Sequence, residues 1–506
     1  MAKSRGQAII LVVLALLVLC LGLIVLFDTG QVVTKKVQLV NTADAAAYSA
    51  AVQEARALNL IAYMNRATVA NEVAVAQIVS WYSWLNFAIS ATDHLEDVAG
   101  IMSILGLVVP PVEGFFAEAF NVLREAKLGL EKGRDAAKAP FKLAISAAAS
   151  LNGAYSQSSG VLALTVASDA SNVARNVVPL NDPEASIPAV GLGILAQNSL
   201  DAQAYAATYT VLNKGRSGNP DAERLRNVVM EARDPFSRQR DGSLFGVFKK
   251  YGGTDLVNYQ SWVGLDTLNL KFTCPASFCG PTGEDYSIPL AWGGGAGVDQ
   301  VTRSFSSLAK QNLGWSGPYQ GANPQYATRQ RYAPYSNARG NGDAGSLVLL
   351  QPTEDGEPWI EPGANGLGAT LGLPDYRDVA KNRGTVPYEN GKSARVNGVS
   401  ALDVGPEFTV VVEQATNTVR TSSHVSGIGG PPDFQTNDQA SSYGMTATAS
   451  AQVYFSRPRG LFQSMVDPGR EMGSLFSPYW HARLMDTRCS IRQEIAARYG
   501  ALAPCI

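Results

Sequence analysis

Histidine is nearly missing from this chain: His94, His424 and His481 are the only three in 506 residues. They fall on separate predicted elements, so a two-histidine metal site or a Ser-His-Asp triad has little to draw on, and each reads as a surface or packing residue. Net charge is close to absent as well. With 41 Lys and Arg against 43 Asp and Glu, the chain offers no broad electrostatic face for nucleic acid. Cysteine is sparse, and no tight Cys-x-x-Cys pair occurs. Cys20 lies in an apolar run, which leaves Cys274, Cys279, Cys489 and Cys505 as an even set. Disulfides in an oxidising compartment suit their spacing better than zinc, with free thiols as the other alternative.

Signatures of nucleotide and acyl chemistry are missing too. Asn390-Gly391-Lys392-Ser393 imitates the end of a phosphate-binding loop, but Val386 stands where the first glycine is required. The glycine-rich runs Gly293-Gly294-Gly295-Ala296-Gly297 and 363–372 lack dinucleotide-binding spacing and read as loops. Gly314-Trp315-Ser316-Gly317 misses the nucleophile elbow, and Glu354 and Asp355 sit among turn residues. The sequence predicts no cofactor, no small-molecule substrate and no enzymatic activity.

Long apolar runs are also missing, with one exception. Every residue of Ala8–Phe27 except Ala8, Ala15, Cys20 and Gly22 is Leu, Ile, Val or Phe, and the run holds no charge. At about 1.5 Å per residue, a helix of this length covers about 30 Å, one hydrocarbon core. Its side chains, at a few tenths of a kcal/mol each, favour insertion by on the order of 5 kcal/mol. A cleaved signal peptide would need a shorter core with a small-residue cleavage site close behind it, whereas the first Ala-x-Ala, Ala43 to Ala45, lies beyond Lys35 and Lys36. A retained single span is expected, with a short cytoplasmic head at residues 1–7, the transmembrane helix at 8–27, and the long polar remainder exported. The second apolar stretch, Val98 to Val112, contains Gly100 and Gly106, ends at Pro110-Pro111, and is too short for a standard crossing.

Behind the span, Asp28-Thr29-Gly30 leads into Asn41-Thr42-Ala43-Asp44-Ala45-Ala46-Ala47 and on through Tyr48-Ser49-Ala50-Ala51. With Arg5-Gly6-Gln7 ahead of the span, this pattern resembles the Tad pilus-assembly family, the TadE/TadG-like membrane proteins of Flp-type pili. Ala62-Tyr63-Met64-Asn65-Arg66-Ala67, and Val453 to Pro458 with Ser477-Pro478-Tyr479-Trp480, are similar to longer members of that group. The resemblance implies a bacterial inner-membrane protein whose partners are the membrane and other pilus or secretion-system subunits. Two family features do not carry over. Leu11 stands where processed prepilin-like relatives have glutamate after Gly6, and Asp169-Ala170-Ser171-Asn172-Val173 lacks the second serine of a von Willebrand-type metal signature.

The remainder divides by composition near Asp234. Residues 28–233 read as helical: nearly continuous helix from Asp28 to Ile89, then Glu113 to Lys138, Pro140 to Val177, Val190 to Leu212 and Pro220 to Ala232. Val75, Ile78, Tyr82, Leu85 and Ile89 form one apolar stripe, while Asn59, Asn65 and Asn71 fit a solvated face and a partner contact equally well. Residues 234–506 turn rich in Gly, Pro and aromatics and read as a mixed exported domain. Its strand candidates are Asp266 to Thr273, Ser287 to Trp292, Leu347 to Gln351, Phe408 to Glu413 and Met445 to Phe455, with a helix from Ser490 to Tyr499. The fold class expected is α+β. The small residues Ala43, Ala46, Ala47, Ala50 and Ala51 permit close backbone approach, either to helices of other subunits or within the protein's own fold. Three function classes follow: a structural or assembly component of a Tad pilus or its secretion apparatus, an anchored exported adhesin, and an anchored periplasmic hydrolase.

Overall fold

The helix does not stop at the edge of the apolar run: α1 extends without a break from Gln7 to Leu105. It contains no proline, its glycines are confined to Gly22, Gly30 and Gly100, and it is rich in alanine, so nothing in it interrupts the hydrogen-bond ladder. The computed structural model describes residues 7–105, 110–208, 210–211, 220–257, 261–274, 284–297, 373–377, 395–396, 399–400, 404–415, 418–422, 444–456 and 473–498. The expected strand at Leu347 to Gln351 and the irregular stretches at 314–343 and 354–372 lie outside them.

The other helices are α2 (Pro110–Asn181), α3 (Ala189–Thr208), α4 (Pro220–Glu231), α5 (Pro235–Arg238) and α6 (Cys489–Arg498). The strands are β1 (Ala185–Ser186), β2 (Thr210–Val211), β3 (Gly242–Leu244), β4 (Phe248–Val257), β5 (Ser261–Cys274), β6 (Glu284–Gly297), β7 (Tyr376–Arg377), β8 (Arg395–Val396), β9 (Val399–Ser400), β10 (Val404–Gln414), β11 (Met445–Phe455) and β12 (Trp480–Met485). The class is α+β. One difference from expectation is that Glu113 to Lys138 and Pro140 to Val177 are a single helix, α2. Pro140 stands on an exposed face, where water can satisfy the carbonyl its ring displaces.

The chain folds into two compact units. The first comprises 1–63, 159–210 and 377–506, and its centre is the antiparallel sheet β1-β10-β11-β12. Strand alternation puts Phe408, Val410 and Val412 on one face with their register partners Ala451, Ala449 and Ala447, and all six are buried. Val411 points the other way, into an apolar cluster with Val190 and Ile194 of α3 and Ile495 of α6. At the edge of β10, Asn198 replaces a missing strand partner: its amide donates to the Thr409 carbonyl at 2.7 Å and accepts from the Thr409 N–H at 3.3 Å. An edge covered in this way offers no template for another strand.

The second unit comprises 64–158 and 211–376, centred on the antiparallel meander β3-β4-β5-β6. Here α1 and α2 pack where Gly100 faces the Phe120 ring, and Lys127 pairs with Asp93 and, at 3.7 Å, with Glu96. Asp234 caps α5 by accepting from the Ser237 N–H, with Pro235 at the first helical position. The run Gly293 to Gly297 is not a loop, as its composition suggested. It is the end of β6, paired with Trp262 through Asp266 of β5, and its glycines are required by close packing rather than by turns.

Candidate functional site

The stretch that carries the family pattern is also where α1 changes solvent. From Ile9 to Leu19 the helix is exposed on every side, with Leu11 at 67% and Val18 at 66%, as expected for a segment covered by hydrocarbon rather than by protein. It is the one helix among the described residues long and apolar enough to cross a membrane. Burial begins at Asp28, whose carboxylate accepts from the Ser422 N–H at 2.6 Å and the Ser422 hydroxyl at 3.0 Å. The two lysines behind it are also held by the first unit. Lys35 pairs with Glu184 at 2.9 Å, and that contact, together with Gln414, holds the Glu184 carboxyl below its ordinary range. Lys36 donates to the Thr446 carbonyl.

Farther along, Asn59 exchanges hydrogen bonds with the backbone of Trp480, both at 2.9 Å. Between the Lys36 and Asn59 anchors lie Ala43, Ala46, Ala47, Ala50 and Ala51, each completely buried within the protein's own fold. The buried stripe continues through Glu54, Ile61, Asn65, Thr68 and Glu72 to Val79 and Ser83, at the three- and four-residue steps of one helix face. Glu54 borders a small cavity in the first unit and neither of its carboxyl oxygens has a partner.

In the second unit the same stripe meets the sheet. Glu72 accepts from the Trp262 indole N–H and the Asn152 amide, both at 2.9 Å, and Asn71 donates to Asn152. Burial pushes the Glu72 carboxyl up to about 7, against the opposing pull of those two hydrogen bonds. Asn59, Asn65 and Asn71 are therefore not a solvated face: Asn65 is buried, and the other two are hydrogen-bonded to partners distant in sequence. Ser80 donates to Thr254 at 2.7 Å, Ser83 to Asp266 at 2.6 Å, and Asn86 to the Gly294 carbonyl at 2.7 Å. The β4-β5-β6 register places Thr254, Gly264 and Gly295 in one row across the sheet, with Gly252, Asp266 and Gly293 in the next. These rows make a shallow bed of small residues in which the helix lies. Asp266 is its charged centre: Arg240 grips both carboxylate oxygens at 2.8 Å, and Lys250 adds a third contact at 3.1 Å.

Cys489 opens α6 and is disulfide-bonded. Cys274 ends β5, while Cys279 and Cys505 lie outside the described residues. Cys20 is a free, exposed thiol in the span. His94 is buried and His481 is exposed beside Tyr454. No group of three or more His, Cys, Asp or Glu side chains among the described residues could hold a metal ion. Glu54, Ser83 and Asp266 were not singled out in the sequence. The available signal was the polar residues inserted at helical spacing into a stripe that is otherwise small or apolar.

Residues 6–53 match the family described as Tad, putative Flp pilus-assembly TadE/G-like. The match begins just ahead of the exposed span and ends one residue before Glu54, so it takes in the span, the Asp28 anchor and the buried alanines. No curated protein and no solved structure matches the chain. Over residues 6–53 the chain is thus similar to a Tad domain of the pilus-assembly type, and the helix that carries the match runs on into the α+β fold.

Proposed function

We propose that the protein is a single-pass component of a Tad, Flp-type pilus or of its secretion apparatus. Residues 1–7 lie in the cytoplasm, the bulk of the chain lies beyond the bacterial inner membrane, and the role is exercised through contacts with other pilus subunits rather than by catalysis. One observation carries this reading: the family match at 6–53 coincides with the part of α1 that passes from a wholly exposed span into the buried alanine face. In this reading α1 is the assembly element and the region after Asp234 supplies specificity. The alanines hold the protein's own fold. The partner contact falls to the exposed stripe Val33, Val37, Val40 and Tyr48, which continues the Leu26 line of the span at helical spacing.

The test has two arms in cells carrying the full chain. Val37→Ser with Val40→Ser should leave the folded amount unchanged and reduce recovery of pilus subunits after crosslinking at least tenfold, since each interface anchor is worth about 1 kcal/mol or more. Ala47→Leu with Ala51→Leu should lower the folded amount instead, by about 1 to 3 kcal/mol per site from overpacking. Normal piliation and undiminished crosslinking in the serine variant would refute a role for the stripe.

The cysteines are assigned to two bonds, Cys489 to Cys505 and Cys274 to Cys279, in keeping with an oxidising compartment. Closing a loop of about 15 residues is worth about 3 kcal/mol in the chain-entropy model, so losing the Cys505 thiol should release the C-terminal tail to proteolysis. Mass mapping without reductant should recover both linked peptides, and Cys274 or Cys279 found as free thiols would remove the second assignment.

A further inference from the structure

We propose that Glu54 is a proton-operated latch: as a neutral acid it permits α1 to pack around the cavity it borders in the first unit, and loss of its proton opens that packing. This goes beyond the assembly role and does not depend on it. Glu54 is 1% exposed, and both of its carboxyl oxygens lack a hydrogen-bond partner. The walls around it are largely apolar, with Leu58 and Ile61 from α1 and Ala163 and Val166 from α2. Among the residues lining the cavity, the titratable groups are Arg377 of β7 and Tyr205 of α3, and neither bonds the carboxyl in this conformation.

A carboxylate left bare in such surroundings is disfavoured far more than the neutral acid, which needs only weak solvation. Burial accordingly pushes the Glu54 carboxyl from 4.5 up to about 8. The consequence for stability has a definite sign. Because the closed form keeps a proton that the open form releases, closure is fully supported below pH 4.5 and loses support as pH rises towards 8. Each pH unit in that window shifts the closed-to-open ratio about tenfold. Once ionised and released, the carboxylate is solvated by water. Glu72, on the same helical stripe, is not equivalent, because Trp262 and Asn152 already bond both of its oxygens.

The experiment uses the full chain in lipid nanodiscs. Amide hydrogen exchange over residues 50–61 is followed across pH, corrected for intrinsic exchange, alongside the infrared carbonyl band of protonated carboxylic acid. In the native protein, opening of that segment should rise about tenfold per pH unit and level off above pH 8, with the acid band fading over the same range. Glu54→Gln should make the exchange profile flat and remove part of the band. Glu54→Met, which fills the site without a polar atom, should do the same and serves if the amide impairs folding. A profile that is unchanged in both variants, or one that is flattened by Glu72→Gln instead, would overturn the assignment.

Discussion

Gly293→Ala is expected to destabilise the second unit by about 3 kcal/mol or more, a large effect for one methyl group. A Cβ at this position would lie 2.0 Å from the backbone nitrogen of Phe87 and 2.5 Å from the carbonyl carbon of Asn86. Neither obstacle can rotate aside, because both are helix backbone. The helix or the strand must move, and each is fixed by neighbouring contacts of the same kind. Gly295 faces the Val79 carbonyl and Gly264 faces Ser83, so the displacement would spread along the whole bed. Gly153→Ala, in the same unit, is the control. It lies in the interior of α2 with nothing within 4 Å, so there alanine should stabilise by about 0.5 to 1 kcal/mol. Denaturant unfolding of both variants, read by tryptophan fluorescence, measures the contrast, and equal midpoints would show that the bed tolerates separation.

Asp266→Asn should cost about 3 to 5 kcal/mol, because it leaves the Arg240 guanidinium, 2% exposed, without its counter-charge. Burial alone would raise the Asp266 carboxyl. The charge and hydrogen bonds of Arg240, with Lys250 and Ser83 behind them, outweigh burial and hold it below its ordinary value. A depressed carboxyl supplies stability above its unfolded value of 3.8 that is lost as pH falls through the lower folded value. The acid limb of unfolding should therefore flatten in Asp266→Asn. The partners also act together. In a double-mutant cycle with Arg240→Gln, the coupling should exceed about 1 kcal/mol, and additive effects would mean that Arg240 is held by the Gly253 and Phe236 carbonyls rather than by Asp266. The opposite pH behaviour of Asp266 and Glu54 has one cause: both carboxyls are buried, but only Asp266 has cations to meet it.

Much of this protein is written in short-range pattern. The Ala8–Phe27 span needs only its own apolar side chains, and the Tad pattern around it lies within a few helical turns. The strand Met445–Phe455 has the same bounds in the sequence reading and in the fold, because its alternation and flanks are local. The α+β class follows from the same periodicities. What local pattern could not supply was the identity of the surface each residue meets. Gly293 to Gly297 has a loop's composition, yet it is a strand, because the backbone of α1 comes so close that no side chain fits between them. Asn59, Asn71, Glu72 and Ser83 have the chemistry of a solvated face, and they are drawn inward by partners far away in sequence: Trp480, Asn152, Trp262 and Asp266. The alanines from Ala43 to Ala51 permitted close approach to any neighbour, and tertiary packing assigned them to the protein's own interior. Small and polar side chains are compatible with water or with a well-matched interior, so their place depends on which distant groups arrive to pair with them.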